Sequence, residues 1–131
     1  MTTATIPQSH RDLLDKNQAV ILTTNGPDGF PQTTALWFIV EDDTVRLSIN
    51  TTRQKARNLE RDQRCTLFFM DPESPYRTLE IRGRAKIDPD PKYLLADKVA
   101  ARYGADLRKM DKPGETRIAV TIEPVKVNTY G

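Results

Sequence analysis

The segment Ser48-Ile49-Asn50-Thr51-Thr52-Arg53-Gln54-Lys55-Ala56-Arg57-Asn58-Leu59 carries the clearest chemistry in this chain. It reads as the end of a strand running into the start of a helix. Two threonines stand where a helix takes its cap, and Arg53, Lys55 and Arg57 follow at once. A helix N-terminus offers unsatisfied N–H groups and a partial positive charge. Hydroxyls and fixed cations beside it suit a phosphate. The segment is therefore expected to anchor a phosphorylated cofactor through Thr52, Arg53, Gln54, Lys55, Arg57 and Asn58. The plainer alternative is a solvated basic helix face, since Arg53 and Arg57 point roughly one way and Lys55 another. Ser48 and Asn50 lie on the polar face of the incoming strand. They are either solvated or bonded to the polar chain and phosphate of that cofactor.

The other reactive side chains form no catalytic set. Cys65, the single cysteine, lies in the apolar run Cys65-Thr66-Leu67-Phe68-Phe69-Met70 and reads as a small buried residue. His10, the single histidine, sits in a polar N-terminal stretch. The two make neither a metal set nor an oriented thiol–imidazole pair. A net charge of +2, from 20 basic and 18 acidic side chains, is too balanced for a nucleic-acid coat. No apolar run approaches the roughly 18 residues of a membrane span. The first eleven residues lack a signal pattern, so a cytoplasmic protein is expected.

The elements that must position these residues follow from alternation and punctuation. A short helix is expected over residues 9–16, capped by Ser9, with Leu13 and Leu14 inward. Strands are expected over residues 19–24, 31–40 and 45–50, with the turn Asn25-Gly26-Pro27-Asp28-Gly29 closing the first. A helix over residues 53–61 buries Ala56 and Leu59, and strands follow over residues 65–70 and 79–87. Gly83, on the apolar side of the latter, marks a bulge or a close backbone approach. A helix over residues 90–103, entered through Pro91, should turn Leu94, Leu95, Val99 and Tyr103 inward. The last strand starts at Ile118, and Pro124 makes it an edge or bends it. Six strands with helices that do not alternate one-to-one predict a six-stranded antiparallel barrel with accessory helices, one domain over residues 1–131.

The order and spacing of these segments resemble the split β-barrel of the pyridoxamine 5'-phosphate oxidase-like flavin proteins. Within that family the chain is most similar to the small actinobacterial branch that binds a deazaflavin, coenzyme F420, in place of FMN. The segments carrying the resemblance are Val20-Ile21-Leu22-Thr23-Thr24 with Gly26-Pro27-Asp28-Gly29-Phe30-Pro31, then Thr34-Ala35-Leu36-Trp37-Phe38, the helix from Thr52 to Leu59, and Leu79-Glu80-Ile81-Arg82-Gly83-Arg84-Ala85. The resemblance implies a homodimer with cofactor sites at the interface, and chemistry supplied by the ring. It places Thr34, Ala35, Leu36 and Trp37 beside the ring, where Trp37 alone would read as core. It also implies that Tyr76, Arg77, Thr78 and Leu79 reach the partner's cofactor, and that Arg57 or Arg77 suits the acidic tail of a deazaflavin. The implied activity is hydride transfer from reduced F420 to an unsaturated or electron-poor small molecule. An FMN enzyme of the same fold and a non-catalytic cofactor carrier are the alternatives. A single-stranded nucleic-acid barrel is disfavoured, because Phe38, Phe68 and Phe69 sit in buried-type runs rather than among basic residues.

Overall fold

Period-two alternation of apolar and polar residues becomes strand almost wherever it occurs in the computed structural model, which describes residues 4–131. The strands are β1 (Val20–Asn25), β2 (Pro31–Leu36), β3 (Ile39–Glu41), β4 (Thr44–Asn50), β5 (Arg64–Asp71), β6 (Ser74–Pro89) and β7 (Arg117–Tyr130). The α-helices are α1 (Asp12–Lys16), α2 (Gln54–Arg61), α3 (Leu94–Arg102) and α4 (Leu107–Met110). The strands form one sheet in the order β2-β1-β5-β6-β7-β4-β3, with every neighbouring pair antiparallel.

The strand count is seven rather than six, because the strand expected over residues 31–40 breaks at Trp37 and Phe38. Its two halves, β2 and β3, lie at opposite edges of the sheet. Only three Cα steps separate Leu36 from Ile39, a reach of at most about 11 Å. The edges must therefore approach at this corner, and the sheet curls into a half-barrel. The C-terminal end of α3 builds the corner. Tyr103 Oη accepts from Phe38 N–H at 3.2 Å and donates to Phe38 C=O at 3.1 Å, while Arg102 donates to the same carbonyl at 2.7 Å. Trp37 stacks on Tyr103 with ring centroids 4.5 Å apart. Phe38 is fully buried edge-on to Phe69.

Pro124 does not make β7 an edge; it bends it. Gly83 pairs with Pro124 and Arg82 with Lys126, so Val125 has no opposite number. This is a bulge, and Gly83 permits it: a Cβ there would sit 2.6 Å from the Glu123 carbonyl oxygen. The concave face collects Leu22, Leu47, Leu67, Ile81, Val120 and Ile122. It is covered by Leu13 and Leu14 of α1 and by Ala56 and Leu59 of α2, as their spacing predicts.

Two helix starts differ from expectation. Ser9 does not cap a helix; its hydroxyl bonds His10 Nδ1 at 2.8 Å within a 3-10 turn over Gln8–His10, and α1 begins after it. α3 starts at Leu94 rather than after Pro91. The Asp90 carboxylate accepts from Leu94, Leu95 and Ala96 N–H at 2.8, 3.1 and 3.1 Å, and this sets the helix phase. Leu95, Ala96, Val99 and Ala100 face inward, while Leu94 is 68% exposed.

Candidate cofactor-binding cleft

β4 carries Ser48, Ile49 and Asn50 to one end of the half-barrel, and the chain turns there into α2. Asn50 organises the turn. Its Oδ1 accepts from Thr52 N–H at 2.9 Å and from the Thr52 hydroxyl at 2.8 Å, and its carbonyl accepts from Arg53 N–H at 3.1 Å. Thr51 bonds across to Thr116. The two threonine hydroxyls are thus turned to Asn50 and Thr116 rather than to the helix. Arg53 occupies the cap position in extended conformation, with no side-chain cap bond. Helix geometry then leaves the first N–H groups of α2 without partners inside the helix.

Beside this helix start, Lys55 is half-buried and donates to the Thr34 hydroxyl at 3.3 Å. Burial, followed by repulsion from Arg53 and Arg117, pushes its pKa below the ordinary lysine value. Among the described residues neither Lys55 nor Arg53 has an ion-pair partner, whereas Arg117 beside them is paired with Asp111. A partly desolvated cation without a carboxylate, beside a second free cation and an uncapped helix start, lacks an anion.

Arg117 closes the site from β7. It is 11% exposed and makes a bidentate pair with Asp111, at 2.7 and 2.9 Å, while its third nitrogen reaches the Ser48 carbonyl and hydroxyl at 3.3 Å. The pair holds the Asp111 carboxyl well below its ordinary value, at about 2. Leu36, Trp37, Val99 and Leu107 supply an apolar wall opposite these charges. The resulting cleft encloses about 160 Å³, and a neighbouring one of about 340 Å³ shares Asn50, Arg53 and Arg117 with it.

Of the residues expected from sequence, Leu36, Trp37, Ser48, Asn50, Arg53 and Lys55 line the first cleft, and Thr52 lines the second. Thr34 meets the site through Lys55. Ala35 lies on an apolar shelf beyond Trp37. Gln54, Arg57 and Asn58 bond to one another and to the protein. Arg57 donates to the Thr52 carbonyl and to Gln54, Gln54 donates to Asn58, and buried Asn58 donates to Thr24 and Gln32. Tyr76, Arg77, Thr78 and Leu79 line neither cleft of their own chain. Leu79 is fully buried, and Arg77 is engaged by Asp12, Asp71 and the Ser9 carbonyl. Sequence reasoning missed Asp111, Arg117, Val99 and Leu107. The one local signal was an acid and a base flanking the Lys112-Pro113-Gly114-Glu115 turn.

A curled antiparallel half-barrel whose helix start and aromatic corner flank one cleft is the architecture of the flavin-type split barrels. Residues 6–129 match the pyridoxamine 5'-phosphate oxidase family, and the chain belongs to it. A solved F420 reductase is 32% identical, with a TM-score of 0.80, over 94% of this chain and 98% of that one. That likeness supports the F420-dependent branch. A conserved hypothetical protein from Mycobacterium tuberculosis is 26% identical, with a TM-score of 0.77, over 98% of this chain and 86% of that one. The heme storage protein HutZ from Vibrio cholerae shares the fold at 14% identity, with a TM-score of 0.72, over 98% of this chain and 96% of that one. No curated protein matches the chain.

Proposed function

We propose that this protein is an oxidoreductase that transfers hydride from reduced coenzyme F420 to an unsaturated or electron-poor small molecule. The observation carrying the reading is the half-buried, unpaired Lys55 beside Arg53 at the uncapped start of α2. Lys55, Arg53 and the first N–H groups of the helix would hold the cofactor phosphate. Leu36, Trp37, Val99 and Leu107 would flank the ring and exclude water from one side of it. When bound, the deazaflavin supplies the hydride. The chain's own residues bind and orient; among the described residues, the lining of the first cleft includes no histidine, cysteine or carboxylate.

FMN in the same seat is the second reading, and one observation favours it. Arg57 is engaged by Thr52 and Gln54, and Arg77 by Asp12 and Asp71, so both cations expected to meet an acidic tail already have partners. The proposal also includes a homodimer with the cleft at its interface. Its support is the openness of the cleft, the exposed Tyr76, and the outward apolar pair Ile21 and Phe68 on β1 and β5.

Turnover decides among these readings. Oxidation of reduced F420, followed by absorbance with a panel of quinones and activated enones, should be accelerated by the protein. Acceleration only with reduced FMN would establish the second reading. Tight binding of F420 without turnover of any acceptor would make the protein a carrier.

A further inference from the structure

We infer that Asp111 is the positioning residue of this cleft: one buried carboxylate fixes both the turn that starts α2 and the guanidinium that walls the site. The inference rests on the cofactor reading above, but it concerns residues that would not themselves touch the phosphate.

Asp111 is 5% exposed, yet it gathers four hydrogen bonds from three elements. Arg117, at the start of β7, donates twice, at 2.7 and 2.9 Å. Tyr93, just ahead of α3, donates its hydroxyl at 2.6 Å. Asn50, at the end of β4, donates its amide at 3.1 Å. An ionised carboxylate has about four acceptor sites, so this one is fully used. These bonds, those of Arg117 foremost, outweigh the burial that would raise its pKa and hold it down to about 2.

Two consequences reach the cleft. The Asn50 amide nitrogen is committed to Asp111 and to Glu115, which lies 3.1 Å away, so its oxygen is the end turned to Thr52. That oxygen holds the turn from which Arg53 and Lys55 project. Arg117 is meanwhile locked in a bidentate pair against Ser48, with its charge matched. Arg53 and Lys55 are then the cleft's cations without a carboxylate. The pairing thus decides which basic groups are left for an anion.

Positioning and electrostatic field predict opposite signs. Removing the Asp111 charge takes a negative charge from beside the cleft, so a pure field effect would tighten an anionic ligand. If Asp111 positions the site, its loss weakens binding, because Asn50 and Arg117 are released.

The test is a fluorescence titration of the full chain with F420 and with FMN, at low and high salt. It compares the wild type with Asp111→Asn, Asn50→Ala, the double variant and Lys55→Met. The expected result is that Asp111→Asn weakens F420 by about tenfold or more, by the same factor at both salt concentrations, and that the double variant is scarcely weaker than Asn50→Ala alone. Unchanged or tighter binding in Asp111→Asn, or fully additive effects, would overturn the inference. A merely structural role would lower the melting temperature and leave the dissociation constant of the folded protein unmoved. Lys55→Met separates the two claims. If it leaves affinity intact while Asp111→Asn weakens it, the phosphate seat is wrong and the positioning role stands. If only Lys55→Met weakens binding, the seat stands and this inference falls. Should Asp111→Asn fail to fold, Tyr93→Phe removes one of the four bonds without a charge. It is expected to weaken F420 by a few-fold, and unchanged affinity would overturn the inference.

Discussion

Replacing Lys55 by methionine should move two properties in opposite directions. The lysine is half-buried, close to Arg53 and Arg117, and its ammonium has only the Thr34 hydroxyl, 3.3 Å away. Without a ligand this charge is a burden on the fold: burial and two like charges depress its pKa. The penalty is full below that depressed value and disappears above the ordinary lysine value of 10.5. Methionine has a similar stem and no charge, so ligand-free Lys55→Met should melt no lower than wild type at neutral pH. The gap should close as pH rises through the depressed pKa toward 10.5. Binding should respond the other way. A lost charge-assisted hydrogen bond is worth about 1.5–3 kcal/mol, or roughly 10- to 150-fold in dissociation constant. Wild-type affinity should itself decline at high pH, where Lys55 is neutral, and the variant's should not. Thermal melts of the ligand-free protein and cofactor titrations across pH measure both halves. A variant that melts well below wild type, or that binds as tightly, would refute the claim that Lys55 is held in place for an anion.

Three further outcomes follow from the same structure. The Asp111 carboxyl sits at about 2, against an ordinary 3.8, which is worth about 2 kcal/mol of stability above the ordinary value. That stability is lost as pH falls from about 4 to about 2, so the deficit of Asp111→Asn in denaturant melts should shrink over that range. Gly83→Ala places a Cβ 2.6 Å from the Glu123 carbonyl oxygen and 2.9 Å from Ile122 Cγ2. It should cost about 1–3 kcal/mol in the same melts. Cys65 is buried and burial pushes its thiol up to about 12, so it is protonated at neutral pH. Cys65→Ser should keep turnover near wild type at saturating cofactor, and abolished turnover in a folded, cofactor-binding variant would require thiol chemistry.

Much of this was readable from local sequence, and the rest failed for identifiable physical reasons. Alternation located the strands, and Ala56 and Leu59 revealed the buried side of α2. The cluster of Arg53 and Lys55 after a polar strand end pointed to the cleft, because both the helix start and its cations are local features. The break at Trp37 and Phe38 was invisible, since neither residue is a turn former. It depends on Arg102 and Tyr103, more than sixty residues away, which satisfy the Phe38 backbone in place of a ladder. That one miss turned seven strands into six. The phase of α3 was misread because Pro91 looked like the helix start, whereas the Asp90 side chain sets it from three N–H groups. Arg117 and Asp111 were overlooked because their value lies in reaching Ser48 and Asn50, a juxtaposition that exists only once β4 and β7 pair.

The most direct measurement uses the single tryptophan. Trp37 lines the cleft and is the chain's single tryptophan, so its fluorescence responds to a ligand in this cleft or on the adjoining apolar shelf, and the Lys55 variant tells the two apart. Titration with F420 should quench Trp37 saturably at one ligand per chain, and Lys55→Met should shift the midpoint upward by about tenfold or more. F420 that binds without changing Trp37 emission, or a Lys55→Met curve that overlays wild type, would place the cofactor elsewhere and contradict the account.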